Sequence, residues 1–285
     1  MVRLVAFDLD GTLLDAAGRP DPTALEVLAE VAARGIAIAS VSGRSIRRSL
    51  EPLQAHPQLA GRLHVSGYNG GAAVGPRERG CRRLLYAHPL PRPVLRDLLE
   101  YADERGLNVV YCRCDAGPDG LTEEYRFLRQ PHDEMGRWLA ELGWVYDPHL
   151  LERARAGSLG SPPKVMLATS GHPPARIVEE LGERFAGRVY VAWAVTELLE
   201  IMHPEVNKGT ALLWLSRALG IPPAQVLAVG DGNNDLPMLR QAGQGVLMGN
   251  AAADVRRAAA EAGILLGPPF ADGGLARIVR QHVLD

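Results

Sequence analysis

Lysine is nearly missing from this chain: of 31 basic side chains, only Lys164 and Lys208 are lysine and the rest are arginine. Against that bias, a retained lysine marks a place where a compact ammonium is wanted instead of a planar guanidinium fork. Aromatic residues are scarce too, at 5%, and the net charge of -2 advertises no basic face. Little is left for stacking on bases or neutralising a phosphate backbone, so no nucleic-acid partner is expected. Cysteine is sparse and odd in number, at Cys81, Cys112 and Cys114, which fits a reducing compartment better than a disulfide framework. Cys112-Arg113-Cys114 lacks the second pair that a four-ligand zinc site needs, and reads as free thiols on a strand. Long hydrophobic runs are absent as well. Asp8 and Asp10 interrupt the early apolar stretch, so no signal peptide is expected, and no window reaches the roughly 18 uncharged apolar residues of a membrane span. These absences together lead us to expect a cytoplasmic protein with no membrane partner, either a monomer or a small homo-oligomer.

What the chain does have is apolar mass. Its 285 residues are 47% hydrophobic, enough for one large core and more comfortably for two packed units. Short apolar runs at 4–7, 36–41, 63–65, 226–229 and 245–248 each end in Gly, Ser, Asn or Asp. They are too short for helices and read as parallel strands buried on both faces. Helical patterns lie between them. One opens at Asp21-Pro22 and closes on Gly35; another runs from Lys208 to Gly220; two more close on Gly243 and Gly263. Proline just inside the start and glycine just past the end are the expected helix boundaries. Alternating strands and helices predict an α/β fold with a doubly wound parallel sheet. The middle of the chain reads as strand-helix-strand twice over, which predicts a second α/β unit inserted into the first. The expected organisation is a core formed by 1–80 and 194–285, with an insert at 81–193; the strand at 198–202 returns to the core.

Function in such sheets collects at the carboxyl ends of the strands. Asp8 follows the first strand, and Asp10, two residues on, can face the same side while the chain stays extended. Two carboxylates so placed repel unless a cation sits between them or one is protonated. A divalent metal is the economical answer, and Mg²⁺ prefers oxygen ligands. A second cluster follows another strand, where Gly230 and Gly232 flank Asp231, and Asp235 lies one helical turn on. Helix capping would explain one of these acids but not both. After a third strand, Ser42 and Gly43 offer a hydroxyl beside backbone N–H groups, a natural grip on phosphate oxygens. Lys208 sits at a helix start, where its charge opposes the helix dipole, and makes sense there if it points at an anion. This set suits phosphoryl transfer, with an acid nucleophile, a metal and neutralising donors.

Those residues carry a resemblance. "DLDGTLL" at 8–14, "SGR" at 42–44, "KG" at 208–209 and "GDGNND" at 230–235 resemble, in order, the four motifs of the haloacid dehalogenase-like superfamily, and in particular its Cof-like phosphatases with a large α/β cap. "YNGG" at 68–71, "MGNA" at 248–251 and "DGGLA" at 272–276 resemble further segments of that subgroup. The resemblance implies a Mg²⁺-dependent phosphatase acting on a small phosphorylated metabolite, with a cap that closes over the site and selects the substrate. It implies that Asp8 attacks phosphorus to form an aspartyl-phosphate, and that Asp10 protonates the leaving oxygen and then activates water. Asp8, the Asp10 backbone carbonyl and Asp231 would hold Mg²⁺, and Asp235 would ligate it or orient Lys208. Ser42, Lys208 and Asn234 would hold the transferring phosphoryl group. Asn207 stands before Lys208, where the subgroup often has Ser.

Arg44, Asn69 and Lys164 are candidate substrate contacts, each with a plainer reading as a surface or turn residue. His132-Asp133-Glu134 reads as a solvated face and His203 as a strand end. Two other functions share the same residues: a phosphomutase or phosphotransferase on this scaffold, and a phosphate-ligand-binding module without turnover. Sugar phosphates, nucleotides and cofactor phosphates all remain open as substrates, because no specificity motif is legible in the insert.

Overall fold

Short runs dominated by Val, Ile, Leu and Ala become the inner strands of this protein. The computed structural model describes residues 1–117, 120–130, 144–169, 171–195 and 197–285. Along them run β1 (Leu4–Phe7), β2 (Ala37–Val41), β3 (His64–Gly67), β4 (Ala72–Glu78), β5 (Cys81–Ala87), β6 (Asn108–Gly117) and β7 (Gly120–Phe127). Then come β8 (Val145–Tyr146), β9 (Lys164–Ala168), β10 (Tyr190–Val195), β11 (Leu198–Met202), β12 (Val226–Gly230), β13 (Gln244–Leu247) and β14 (Leu265–Leu266). They form two sheets, and the chain divides into two units: Met1–Tyr86 with Asn207–Asp285, and Ala87–Val206.

The first unit holds an eight-stranded sheet in the order β14-β13-β12-β1-β2-β3-β4-β5. It is parallel from β14 to β3, and β4 then pairs antiparallel with β3. β1 is its middle: Leu4 pairs with Ala37 on one side and Val226 on the other, and Phe7 with Ser40 and Val229. All four β1 residues are buried. The sequence order runs outward from β1 in opposite directions, to β2 and to β12, so the strand ends there form the crevice where such sheets place function. Asp21 caps the helix Pro22–Ala33 by accepting from Thr23 N at 2.9 Å. The helix Lys208–Leu219 starts with a reciprocal cap. Asn207 Oδ1 accepts from Gly209 N at 2.9 Å and Thr210 N at 3.0 Å, and Thr210 Oγ1 accepts from Asn207 N at 3.1 Å. Asn207 thus supplies the capping oxygen for this helix start. Leu212 and Leu215 of that helix pack with Leu4, Ala6, Ala39, Val41 and Ala228.

The second unit holds a six-stranded sheet in the order β10-β11-β9-β6-β7-β8. Its pairs are antiparallel except β7 with β8. One face supplies Val109, Tyr111, Val165, Leu167, Leu199 and Ile201 to a core shared with the helices Arg92–Glu104 and Pro174–Arg184.

The unit boundaries differ from those expected. Leu198–Met202 pairs with β9 and β10 inside the second sheet and does not return to the first. All five of its residues are buried, and, apart from Glu200, a central antiparallel strand buried in this way reads as the same short apolar run as a parallel one. Cys81–Ala87, expected to open the insert, is the outer strand of the first sheet. The insert is therefore Ala87–Val206 rather than 81–193. His132-Asp133-Glu134 lies outside the described residues. Among the described residues, no helix is long and apolar enough to cross a membrane.

Candidate active site

The end of β1 continues its ladder one residue further, since Asp8 N donates to Val229 O at 3.0 Å. That hydrogen bond carries a carboxylate into buried surroundings beside β12. Lys208, at the first position of its helix and only 1% exposed, meets it there. Lys208 Nζ lies 2.7 Å from Asp8 Oδ1 and 2.6 Å from Asp235 Oδ1. Asp235 is fully buried, and its second oxygen accepts from Asp231 N at 3.1 Å and Gly232 N at 2.9 Å. Both oxygens of Asp235 thus have work to do: one fixes the ammonium and the other shapes the loop after β12. Gly230 is what admits this carboxylate, because a Cβ there would sit 2.4 Å from Asp235 Cγ.

Two buried acids, the half-buried Asp231 and one ammonium leave negative charge unmet. Burial pushes Asp8 up to about 7; Lys208 pulls it down, and the charge of Asp235 adds to the rise. Asp231 is pushed up to about 6, by burial first and then by Asp235. Burial works against the charge of Lys208, but Asp235 and Asp8 outweigh it and hold its proton firmly. Asp8, Asp231 and Asp235 each offer an oxygen, and these atoms lie within 4.8 Å of one another. An all-oxygen donor set carrying surplus negative charge fits a hard divalent cation such as Mg²⁺. With Asp235 committed to Lys208 and the loop, Asp8 and Asp231 are the side chains best placed to ligate it directly.

Asp231 has supports that the sequence did not reveal. Gly11, at φ 74°, lies so close that a Cβ would fall 2.1 Å from Asp231 Oδ2. Thr12 Oγ1 donates to Asp231 Oδ1 at 3.5 Å. Asn250 Nδ2 donates to Gly11 O at 2.9 Å and to Asp231 Oδ2 at 3.2 Å, while Asn250 Oδ1 accepts from Phe270 N at 2.8 Å. The only trace of this in the sequence is Asn250 inside "MGNA".

The other expected residues fall into two groups. Ser42 follows β2 and is buried, and Arg44 N donates to its Oγ at 3.2 Å. The Asn69 side chain lies against Gly43, where a Cβ would meet Asn69 Oδ1 at 3.2 Å. Asn69 adopts φ 55°, a left-handed conformation that Asn tolerates better than most residues. Asn234 is on the exposed turn after β12. Asp10 stands apart. Its carboxylate is not among the clustered oxygens and instead takes a bidentate contact from Arg44, with Nε to Oδ2 at 2.9 Å and Nη2 to Oδ1 at 2.5 Å. The carboxylates grouped closely enough to hold a cation are therefore those of Asp8, Asp231 and Asp235, and not the expected pair of Asp8 and Asp10, because the side chain of Asp10 turns to the guanidinium. Lys164 lies in the second unit, buried and ion-paired with Glu200. That pairing explains why an ammonium is kept there without appeal to a substrate. Cys81, Cys112 and Cys114 form no disulfide among the described residues, and burial pushes Cys112 up to about 12.

Residues 5–264 match the haloacid dehalogenase-like hydrolase family. An HMP-PP phosphatase of Serratia proteamaculans is 32% identical over 253 residues, which span 88% of this chain and 85% of that protein. A haloacid dehalogenase-like hydrolase from Bacteroides thetaiotaomicron has the same fold, with a TM-score of 0.78 and 24% identity over 99% of both chains. So does a protein of Thermotoga maritima, with a TM-score of 0.78 and 24% identity over 100% of this chain and 99% of its own. The motifs at 8–14, 42–44, 208–209, 230–235 and 248–251 all lie within the matched residues, and the fold is shared over full length: this chain is an enzyme of the haloacid dehalogenase-like hydrolase family.

Proposed function

We infer that the chain is a Mg²⁺-dependent phosphatase that hydrolyses small organic phosphate monoesters through a phosphorylated Asp8. The observation that carries this reading is the buried cluster in which Lys208 Nζ bridges Asp8 and Asp235 beside Asp231. Mg²⁺ held by Asp8, Asp231 and the Asp10 carbonyl would offset negative charge between the nucleophile and the phosphoryl oxygens. An oxygen of Asp8 forms a bond to phosphorus as the ester P–O bond breaks, and Asp10 gives its proton to the departing oxygen. Asp10 then takes a proton from water, whose oxygen bonds to phosphorus and restores the Asp8 carboxylate. Ser42, Asn234 and Lys208 hold the equatorial oxygens, where charge spreads in the transition state. Asp235 keeps Lys208 aimed, since it holds the same ammonium that meets Asp8.

The test is phosphate release from phenyl phosphate and from a panel of phosphorylated metabolites, with Mg²⁺ and with chelator, for the wild type and Asp8→Asn. HMP-PP belongs in that panel because a relative at 32% identity carries its name. Metal-dependent release that disappears in Asp8→Asn supports the reading. Release that survives chelation, or persists in Asp8→Asn, refutes it.

A further inference from the structure

The carboxylate that this reaction needs at the leaving oxygen is fully engaged elsewhere. Arg44 occupies both oxygens of Asp10, at 2.9 and 2.5 Å. In that arrangement neither oxygen is available to pass a proton to a leaving group. The pair is not a buried strut either, because the Asp10 side chain is 58% exposed and that of Arg44 25%. An ion pair so open to water is worth only a few-fold in an equilibrium constant, so a competing anion can displace it.

Arg44 is built to make such an exchange. Its backbone is fixed, with N donating to Ser42 Oγ at 3.2 Å and the carbonyl accepting from Tyr68 N at 2.8 Å. Gly67 packs so tightly beneath it that a Cβ would fall 2.9 Å from the Arg44 carbonyl oxygen. The guanidinium therefore swings from a rigid base beside Ser42, a residue assigned to the phosphoryl group. Its planar fork takes a carboxylate or a phosphate in the same bidentate geometry that it uses on Asp10.

We propose that Arg44 exchanges Asp10 for a second anionic group, a carboxylate or a phosphate, carried on the leaving part of the substrate, and that this exchange frees Asp10 for proton transfer. The proposal rests on the reading of Asp8 as nucleophile and Asp10 as proton donor. It names the substrate class as phosphate monoesters whose alcohol side bears another anion. Neutral alcohols leave Asp10 pinned. Arg44 is then a positioning residue toward Asp10 and a specificity determinant toward substrate.

The experiment uses the full chain carrying Asp8→Asn, in Mg²⁺ buffer, with affinities from isothermal titration calorimetry. Phenyl phosphate is compared with carboxyphenyl phosphate, and propyl phosphate with its ω-phosphorylated counterpart. The second anion should tighten binding about tenfold in at least one pair, as a charge-assisted bidentate contact does. The carboxylate and phosphate arms tell which anion is taken. Adding Arg44→Met should erase the difference, and Arg44→Lys should keep part of it. Adding Asp10→Asn should tighten the doubly anionic ligands about threefold by releasing Arg44, and only while Arg44 is present. In the wild type, the second anion should raise kcat and not merely lower KM, since freeing Asp10 acts on the protonation step. Equal affinities within both pairs, a gain from Asp10→Asn that survives Arg44→Met, or an effect confined to KM would each overturn the proposal. Turnover of phenyl phosphate by Asp8→Asn refutes the nucleophile instead, and the affinity ratios judge Arg44 whichever way that control falls.

Discussion

Lys208 has two carboxylates for partners and almost no water. Removing one member of a buried ionic group strands the others, at a cost of about 3–5 kcal/mol. Lys208→Met should therefore lower unfolding free energy by roughly that amount in urea titrations of the metal-free protein. A loss below about 1 kcal/mol would mean that the acids simply take up protons when the ammonium is gone. Asn250 acts through Asp231. Its amide orientation is set by three contacts at once, because only N–H can face the Gly11 carbonyl and only oxygen can face Phe270 N–H. Asn250→Ala should leave circular dichroism unchanged and weaken Mg²⁺ binding about tenfold by calorimetry, in the range seen when the partners of metal ligands are removed. Unchanged affinity would reduce Asn250 to a tie between the Gly11 turn and the Phe270 segment.

At the scale of elements, β3 carries a pH dependence. His64 is buried, and its Nδ1–H donates to Ile38 O at 3.1 Å across the strand pair. Burial holds the ring below its ordinary value, partly opposed by that hydrogen bond, and the nearby charge of Arg82 lowers it further. Folding therefore favours the neutral ring. The stability this provides is complete above the unfolded value of about 6.5, and declines as pH falls below it, because the unfolded chain then binds the proton first. Between about pH 7.5 and about pH 5.5 the wild type should lose urea midpoint relative to His64→Gln, against the opposite slope of Asp8 and Asp231, whose raised values let the folded chain take up protons as pH falls. An unaltered slope would move the effect to another group. Arg82 of β5 fastens the same edge, donating to Leu63 O at 2.7 Å, to Gly75 O at 2.8 Å and to Ala60 O. Arg82→Ala leaves three carbonyls to find new donors and should speed hydrogen exchange in β3, β4 and the helix Pro57–Arg62 ahead of β1.

This scale also separates what was legible from what was not. β1, β2, β12 and β13 were readable within a residue or so, because a strand inside a parallel sheet needs an apolar run and little else. The acids after β1 and β12 were readable as one site for the same reason: strand ends gather in a known place. The sheet to which Leu198–Met202 belongs was not readable, since pairing partners leave no mark on a fully buried strand. Nor was the contact of Arg44 with Asp10, 34 residues apart, or that of Asn250 with Gly11, 239 apart. Periodicity speaks of faces and not of partners, so only tertiary geometry reveals them.

At the scale of the whole molecule, each unit has its own sheet and its own apolar cluster. Calorimetric unfolding should then resolve into more than one two-state transition. Lys208→Met should displace only the transition of the unit that contains residues 1–86 and 207–285. A single transition that moves as a whole would show the two units melting together.

The first unit is written in two pieces of chain, and that split sets an order of events at the ribosome. Asp8 emerges early, yet its ammonium partner comes 200 residues later, from positions 8 and 208. At about 5–20 residues per second, roughly ten to forty seconds of synthesis separate them. During that interval β1 has no β12 beside it, and the Asp8 carboxylate has no ammonium to meet. The segment Ala87–Val206 is continuous and can complete its own sheet before Asn207 is made. The first unit is thus completed only after the whole of the insert has been made.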